Sequence, residues 1–126
     1  MDDLSPSSIV LKFVECINQG DLEGIALLTS KEYKFTDIPG RIYIFRGKEL
    51  IKQSWDEYLS AFPNYKIHVH HVLESGNGIA IIGKTTGSHV PPEIEEKEIV
   101  LWTAQVRDGL VSEWRIYSGS EYAQKS

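Results

Sequence analysis

Apolar residues recur three and four positions apart at Ile9, Val10, Phe13, Val14 and Ile17, the spacing of one buried helix face. Ser5 before Pro6 reads as an N-cap followed by proline at the first helical position, where its missing N–H costs nothing. Gly20 closes that helix as a left-handed cap. Asp21 then caps a second, short helix whose Leu22, Ile25, Ala26 and Leu28 turn inward, with Ser30 to Glu32 as its exit. Tyr33 to Asp37 alternates weakly and reads as a strand. Pro39-Gly40 turns the chain, and Arg41 to Phe45, rich in β-branched and aromatic residues, reads as a second strand or extended arm. Gly47 breaks it. From Lys48 to about Ala61, Leu50, Ile51, Trp55, Tyr58 and Leu59 return at helical spacing until Phe62-Pro63-Asn64 stops the helix.

Beyond Asn64 the period changes to two. Tyr65, Ile67, Val69, His71 and Leu73 fall on one strand face, with Lys66, His68, His70 and Val72 on the other. Ser75-Gly76-Asn77-Gly78 is a hairpin signal. Ile79 to His89 is the next strand, and Pro91-Pro92 makes its exit irregular. Glu95 to Arg107 reads as a long strand, Asp108-Gly109 as a tight turn and Leu110 to Tyr117 as the last strand. The order predicts an α+β fold: a curved, cone-shaped antiparallel sheet with three helices from the N-terminal half packed over it. The mouth of such a cone is a common ligand site.

At 126 residues the chain reads as a single domain, 1–126, with its core at about 8–118. That length buries enough surface to need no staples. A net charge of −5 argues against a nucleic-acid surface, which needs clustered Lys and Arg. The lone Cys16 excludes an internal disulfide and a cysteine-based zinc cluster, and its helical setting suggests a small core residue. No apolar run reaches the ~18 residues of a membrane span, and the acidic Met1-Asp2-Asp3 start is unlike a signal peptide. A cytoplasmic protein is expected, with no membrane partner.

The segments FVECINQGDLEGIALL, YKFTDIPG, FPNY, TGSH and DGLVSEWRIY, in that order and spacing, resemble the nuclear transport factor 2-like superfamily. The closest flavour is the SnoaL-like polyketide cyclase group, with the ketosteroid isomerases as cousins, over roughly residues 8 to 118. The resemblance implies a cone with a small apolar molecule inside, no cofactor or metal, and a homodimer through the sheet. Asp37 matches the isomerase base that moves a proton beside a carbonyl. The tyrosine that holds the enolate oxygen there is matched by Phe13, which cannot donate. The second donor, an acid, is matched by Trp102 or Thr103. The epoxide-hydrolase branch needs an aspartate after Trp114-Arg115, where this chain has Ile116. The late-strand acid of the cyclases is also missing, with Glu113 and Arg115 in that region.

Asp37 is therefore either a general base made stronger by desolvation or a turn residue bonding the Ile38-Pro39-Gly40 backbone. Gly83, Thr85, Gly87 and His89 alternate on one face. Three of the four are small, which leaves room for a ligand with an ionisable His89 at the rim. Trp114, Ile116 and Ser118 share the inward face in the family register, and Trp55 and Tyr58 sit on the helix across the sheet. These aromatics serve as core or as ligand platform, and Tyr33, Phe35 and Tyr43 can line the entrance on the same terms. His68 and His70 share a face but lack a third metal ligand. Glu93, Glu95, Glu96 and Glu98 read as a solvated face. The candidate site is thus Asp37 and His89 as catalytic groups, with Phe13, Tyr33, Trp55, Tyr58, Thr85, Thr103, Trp114 and Ile116 around the substrate. His89 or Thr103 would help hold the oxyanion. A cofactor-independent isomerase, cyclase or lyase, a non-catalytic small-molecule binder and a dimeric interaction module all fit these residues.

Overall fold

The computed structural model describes residues 5–38 and 42–118. Its elements are α1 (Pro6–Gln19), α2 (Leu22–Leu28), β1 (Thr29–Ile38), β2 (Ile42–Arg46), α3 (Lys48–Ala61), β3 (Lys66–Ser75), β4 (Gly78–Thr86), α4 (Pro92–Glu95), β5 (Val100–Arg107) and β6 (Leu110–Ser118). The expected Pro39-Gly40 turn lies outside the described residues.

Local chemistry sets the helices. The Ser5 hydroxyl accepts the Ser8 N–H at 3.3 Å and Pro6 begins α1, while Gly20, at φ 67°, ends it. The Asp21 carboxylate accepts the Gly24 N–H at 3.0 Å and caps α2. Helix α3 has the predicted bounds, although only Ile51 is fully buried and Leu50 points to solvent.

The six strands form one sheet in the order β2-β1-β6-β5-β4-β3. All neighbours are antiparallel except β1 and β6, which run parallel. Helix α1 packs on β3 to β6, and α3 on β1 and β2. Asn18 fastens α1 to β3 with both ends of its amide: Nδ2 donates to the Ile67 carbonyl at 2.9 Å, and Oδ1 accepts the Ile67 N–H at 2.7 Å. Between helices and sheet lies one apolar core, including Phe13, Tyr33, Trp102 and Trp114.

Several expectations need correction. Strand β1 starts at Thr29, so Ser30 to Glu32 belong to the sheet rather than to a helix exit. Strand β3 does not alternate throughout. Val69 pairs with Gly83 and His71 with Ile82, leaving His70 as an extra residue. Such a bulge transposes the faces beyond it. Val72 therefore turns inward and Leu73 outward, the latter 61% exposed. Gly83 fits opposite because a Cβ there would collide with the His68 carbonyl oxygen. Strand β4 ends at Thr86, and Gly87, at φ 70°, redirects the chain, so His89 leaves the Gly83–Thr85 face. Glu95 is not strand but the end of α4, and β5 begins only at Val100.

Candidate functional site at the open end of the cone

Strand pairing fixes the inner face of the sheet row by row. One row runs Asp37, Ile116, Trp102, Ile81, Val72 from β1 to β3. The next holds Phe35, Trp114, Ala104 and Ile79. Exposure falls along and across these rows. Trp102, Trp114, Phe13 and Tyr33 are sealed, Phe35, Trp55 and Ile116 are half-buried, and Asp37 is exposed. The carboxylate thus stands in water at the rim of an apolar wall, on the same face as Tyr33 and Phe35. It lacks the desolvation expected of a base inside a cavity.

The wall is largely aromatic. Phe13 from α1 meets Trp114 edge-on at 5.2 Å, Trp55 from α3 at 6.1 Å and Tyr33 at 6.4 Å, while Trp102 stacks on Trp114 at 6.4 Å. Such pairs add to the burial that already holds these rings. Phe35 stacks on Tyr43 and Tyr33 on Phe45, so β2 extends the wall at its edge.

Two polar atoms inside this wall have no hydrogen-bond partner among the described residues: the Tyr33 hydroxyl oxygen and Trp102 Nε1. Leaving a buried polar group unpaired costs about 1–3 kcal/mol. Burial drives the Tyr33 phenol far above its ordinary ionisation range, with the Trp55 side chain a smaller opposing influence. A third such atom, Glu98 Oε1, lies in the link from α4 to β5.

The remaining candidates separate from Asp37. Thr103 faces the outer side of the sheet, opposite Arg115, and donates to the Tyr117 hydroxyl at 3.4 Å. It cannot hold an oxyanion in the cone. Thr103 and then Arg115 hold the Tyr117 phenol below its ordinary value. Thr85 is buried on β4, three strand spacings or about 14 Å from β1, and its hydroxyl donates to Glu95 Oε2 at 2.8 Å. Tyr58 and His89 pair through the phenol oxygen and Nδ1 at 2.9 Å, and the His89 N–H reaches the same phenol at 3.4 Å. Burial, and then the Glu95 charge, push the Tyr58 phenol up to about 12 against the opposing His89 backbone bond. Tyr58, Thr85 and His89 thus form a cluster of their own around the start of the β4–α4 connection.

Glu95 anchors that cluster and was not legible as a buried group. Its Oε2 accepts from the Thr85 hydroxyl, from the Ser88 N–H at 3.2 Å and from the Ser88 hydroxyl. Its side chain is a buried carboxylate, not part of a solvated acidic face. Arg115 and Glu113 pair with each other at 2.7 Å, Arg115 being on the outer face of the sheet. No group of three or more His, Cys, Asp or Glu that could hold a metal occurs among the described residues. A separate cleft of about 250 Å3 opens between the ends of α1 and α3 and the start of β3. It is lined by Asn18, Leu22, Asp56, Leu59, Tyr65 and Lys66 among others, and by none of the predicted site residues.

Residues 10–114 match the SnoaL-like domain model. The chain belongs to the SnoaL-like domain family. Solved structures share the SnoaL-like fold at low identity. An NTF2-like protein of unknown function from Cytophaga hutchinsonii aligns with TM-score 0.71 and 13% identity, over 99% of this chain and 98% of its own. IdmH of Streptomyces antibioticus, a candidate polyketide cyclase, aligns with TM-score 0.69 and 24% identity, over 91% and 92%. A candidate ketosteroid isomerase of Kribbella flavida aligns with TM-score 0.70 and 19% identity, over 93% and 79%. No curated protein matches in sequence. At these identities the likeness speaks for the fold alone, and this fold hosts unrelated activities. No helix among the described residues is long and apolar enough to cross a membrane.

Proposed function

We propose that the open end of the cone binds a small, largely apolar carbonyl compound and that Asp37 moves a proton beside its carbonyl. The observation that carries this reading is the inner row itself: a carboxylate at one end, the half-buried Ile116 in the middle and a sealed indole beyond. A flat molecule lying over Ile116 against Phe35 and Trp55 would cover Asp37 and desolvate it. Covering strengthens a carboxylate as a base, so base strength would come with the ligand rather than precede it. The Asp37 carboxylate would take a proton from the carbon next to the carbonyl, the C–H pair would become the C=C bond of an enolate as the C=O π pair moves onto oxygen, and the protonated Asp37 would return the proton to carbon. The chemistry needs no cofactor. Two neighbours of the same fold carry names for cyclase and isomerase activity, the reaction class proposed here, although their likeness itself bears on the fold. His89, which follows β4 and lies away from Asp37 on β1, is assigned to the Tyr58 contact instead.

Deuterium exchange tests this. Wild-type protein with 1-tetralone in D2O should exchange the protons beside the carbonyl faster than buffer, and Asp37→Asn should return the rate to background. Equal exchange by wild type and Asp37→Asn would remove the base assignment and leave a binding protein of the same fold.

The outer face favours a second, compatible role. Leu73, Ala80, Thr103, Arg115, Thr36 and Ile42 form one outer row, with Leu73 61% and Ile42 64% exposed. The exposed Leu73 and Ile42 at its two ends would be covered by a second copy of the chain. Sedimentation velocity should give a dimer that Leu73→Asp weakens; a monomer at all concentrations would remove this role.

A further inference from the structure

We infer that the cleft between the ends of α1 and α3 binds a free apolar α-amino acid, with its ammonium on Asp56 and its carboxylate on Lys66. The cleft holds about 250 Å3, below the ~300–1,000 Å3 of pockets for drug-sized ligands, so its occupant is small. Ile17, Leu22 and Leu59 give it an apolar lining, and Asp56 and Lys66 bring one charge of each sign to the same space. Among the described residues, neither of these two charges forms an ion pair, with the other or with any third group. Lys52, one helical turn before Asp56, is taken by Glu23 at 2.7 Å and by Glu49 at 3.3 Å. The Ser60 hydroxyl donates to Asp56 Oδ1 at 3.1 Å, which leaves Oδ2 to accept. Lys66 uses one of its three N–H donors on the Asn18 carbonyl at the end of α1 and keeps two. The end of α3 lacks a donor as well. The Phe62 N–H bonds the Tyr58 carbonyl at 2.9 Å, and the next bond in that series would run from residue 63 to the Leu59 carbonyl. Pro63, which also lines the cleft, has no N–H to give, so the Leu59 carbonyl needs a donor from outside the helix.

Four kinds of ligand can be compared. An anion would meet Lys66 but also face Asp56 and the negative end of α3. A cation would meet Asp56 and the Leu59 carbonyl but also face Lys66. A neutral molecule would take water from both charges and return nothing to either. A zwitterion answers both at once. An α-ammonium has three donors, enough for Asp56 Oδ2 and the Leu59 carbonyl together, and a cation is favoured at a helix C-terminus. A carboxylate accepts the two remaining Lys66 donors in charge-assisted hydrogen bonds. The apolar side chain then lies on Ile17, Leu22 and Leu59. Asp56 and Lys66 are exposed, so the ligand enters without opening the core. None of Asp37, Phe35, Trp55 or Ile116 lines the cleft, so the site stands whether or not the cone binds a carbonyl compound.

The probes are L-leucine, N-acetyl-L-leucine, which lacks the ammonium, and L-leucinamide, which lacks the carboxylate. In a carbon–proton correlation spectrum of the wild-type protein, L-leucine should shift the methyl signals of Ile17, Leu22 and Leu59. Each blocked probe should bind about fivefold more weakly, the upper worth of an exposed ion pair. Asp56→Asn should weaken L-leucine about fivefold and N-acetyl-L-leucine by no more than about twofold. Lys66→Met should weaken L-leucine about fivefold and L-leucinamide by no more than about twofold. If either blocked probe binds as tightly as L-leucine, the cleft reads one charge alone and the zwitterion is wrong. If L-leucine shifts the Phe35 and Ile116 signals and leaves Leu22 and Leu59 unmoved, it occupies the cone and the cleft site is wrong. No shift at any L-leucine concentration up to its solubility also overturns the site. Both substituted side chains are exposed, so the variants should keep the fold, and the three wild-type titrations decide even where a variant does not.

Discussion

Replacing Glu95 by alanine removes one oxygen on which three donors converge: the Thr85 hydroxyl, the Ser88 N–H and the Ser88 hydroxyl. The Ser88 oxygen in turn accepts the Val90 N–H at 3.1 Å, so the loop after β4 is tied at two points through one side chain. Hydrogen bonds to a charged acceptor contribute roughly 1.5–3 kcal/mol each. Removing the carboxylate also removes its desolvation cost, which offsets about half of that sum. Of the orphaned donors, only the partly exposed Ser88 regains water readily; Thr85 is buried. The expected loss for Glu95→Ala is about 3 kcal/mol, or roughly 10 °C in Tm for a domain of this size. Glu95→Gln is the control. All three donors use the same oxygen, so an amide carbonyl in its place keeps the pattern and loses only the charge, at about 1 kcal/mol. Urea denaturation with an unchanged m-value measures both. If Glu95→Ala falls within about 0.5 kcal/mol of wild type, as exposed substitutions usually do, the carboxylate is solvated and the account of the β4–α4 loop is wrong.

Tyr58 titration gives an alkaline signature. Its folded value, pushed up to about 12, lies above the ordinary value of 10, so the native state holds the proton longer than the unfolded chain. This contribution is complete below pH 10 and fades as pH rises toward 12. Stability should therefore fall across that window, less steeply in Tyr58→Phe; an identical slope in the two proteins would contradict the assignment. Tyr33 and Tyr65 are raised further by burial, so absorbance at 295 nm should show them titrating only as the protein unfolds. At the β3 bulge, His70→Ala should cost less than about 0.5 kcal/mol, since the side chain is exposed. Inserting an alanine between His71 and Val72 should cost several-fold more, because it would put alanine in the core position held by Val72 and turn Val72 outward. Comparable melting temperatures for insertion and substitution would mean that the register beyond the bulge is not fixed by β4.

The elements most legible in the sequence are those decided within a few residues. Ser5-Pro6, Gly20 and Asp21 announce α1 and α2 because capping is a local bond between a side chain and the next turn. The bulge at His70 was illegible for a physical reason: Val72 and Leu73 are interchangeable as inward residues until the partner strand fixes the count. Thr103 and Trp102 were likewise equivalent until β5 paired with β6 and turned the indole inward. Glu95 looked like one charge among four, since its donors sit seven and ten residues away. Asp37 was visible as a carboxylate at the end of an apolar strand. Its exposure depends on what covers the cone rim, which a strand pattern does not encode.

Strand β6 occupies the middle of the sheet yet comes last among the described elements, and it alone joins the β1–β2 pair to β5. A nascent chain that has reached Arg107 therefore owns two separate patches of sheet with no seam between them. Closure waits for a contact spanning some eighty residues, from Phe35 to Trp114. Such distant joining slows folding and leaves the β1 edge open meanwhile. Any truncation that trims β6 should give an insoluble product rather than a smaller working domain.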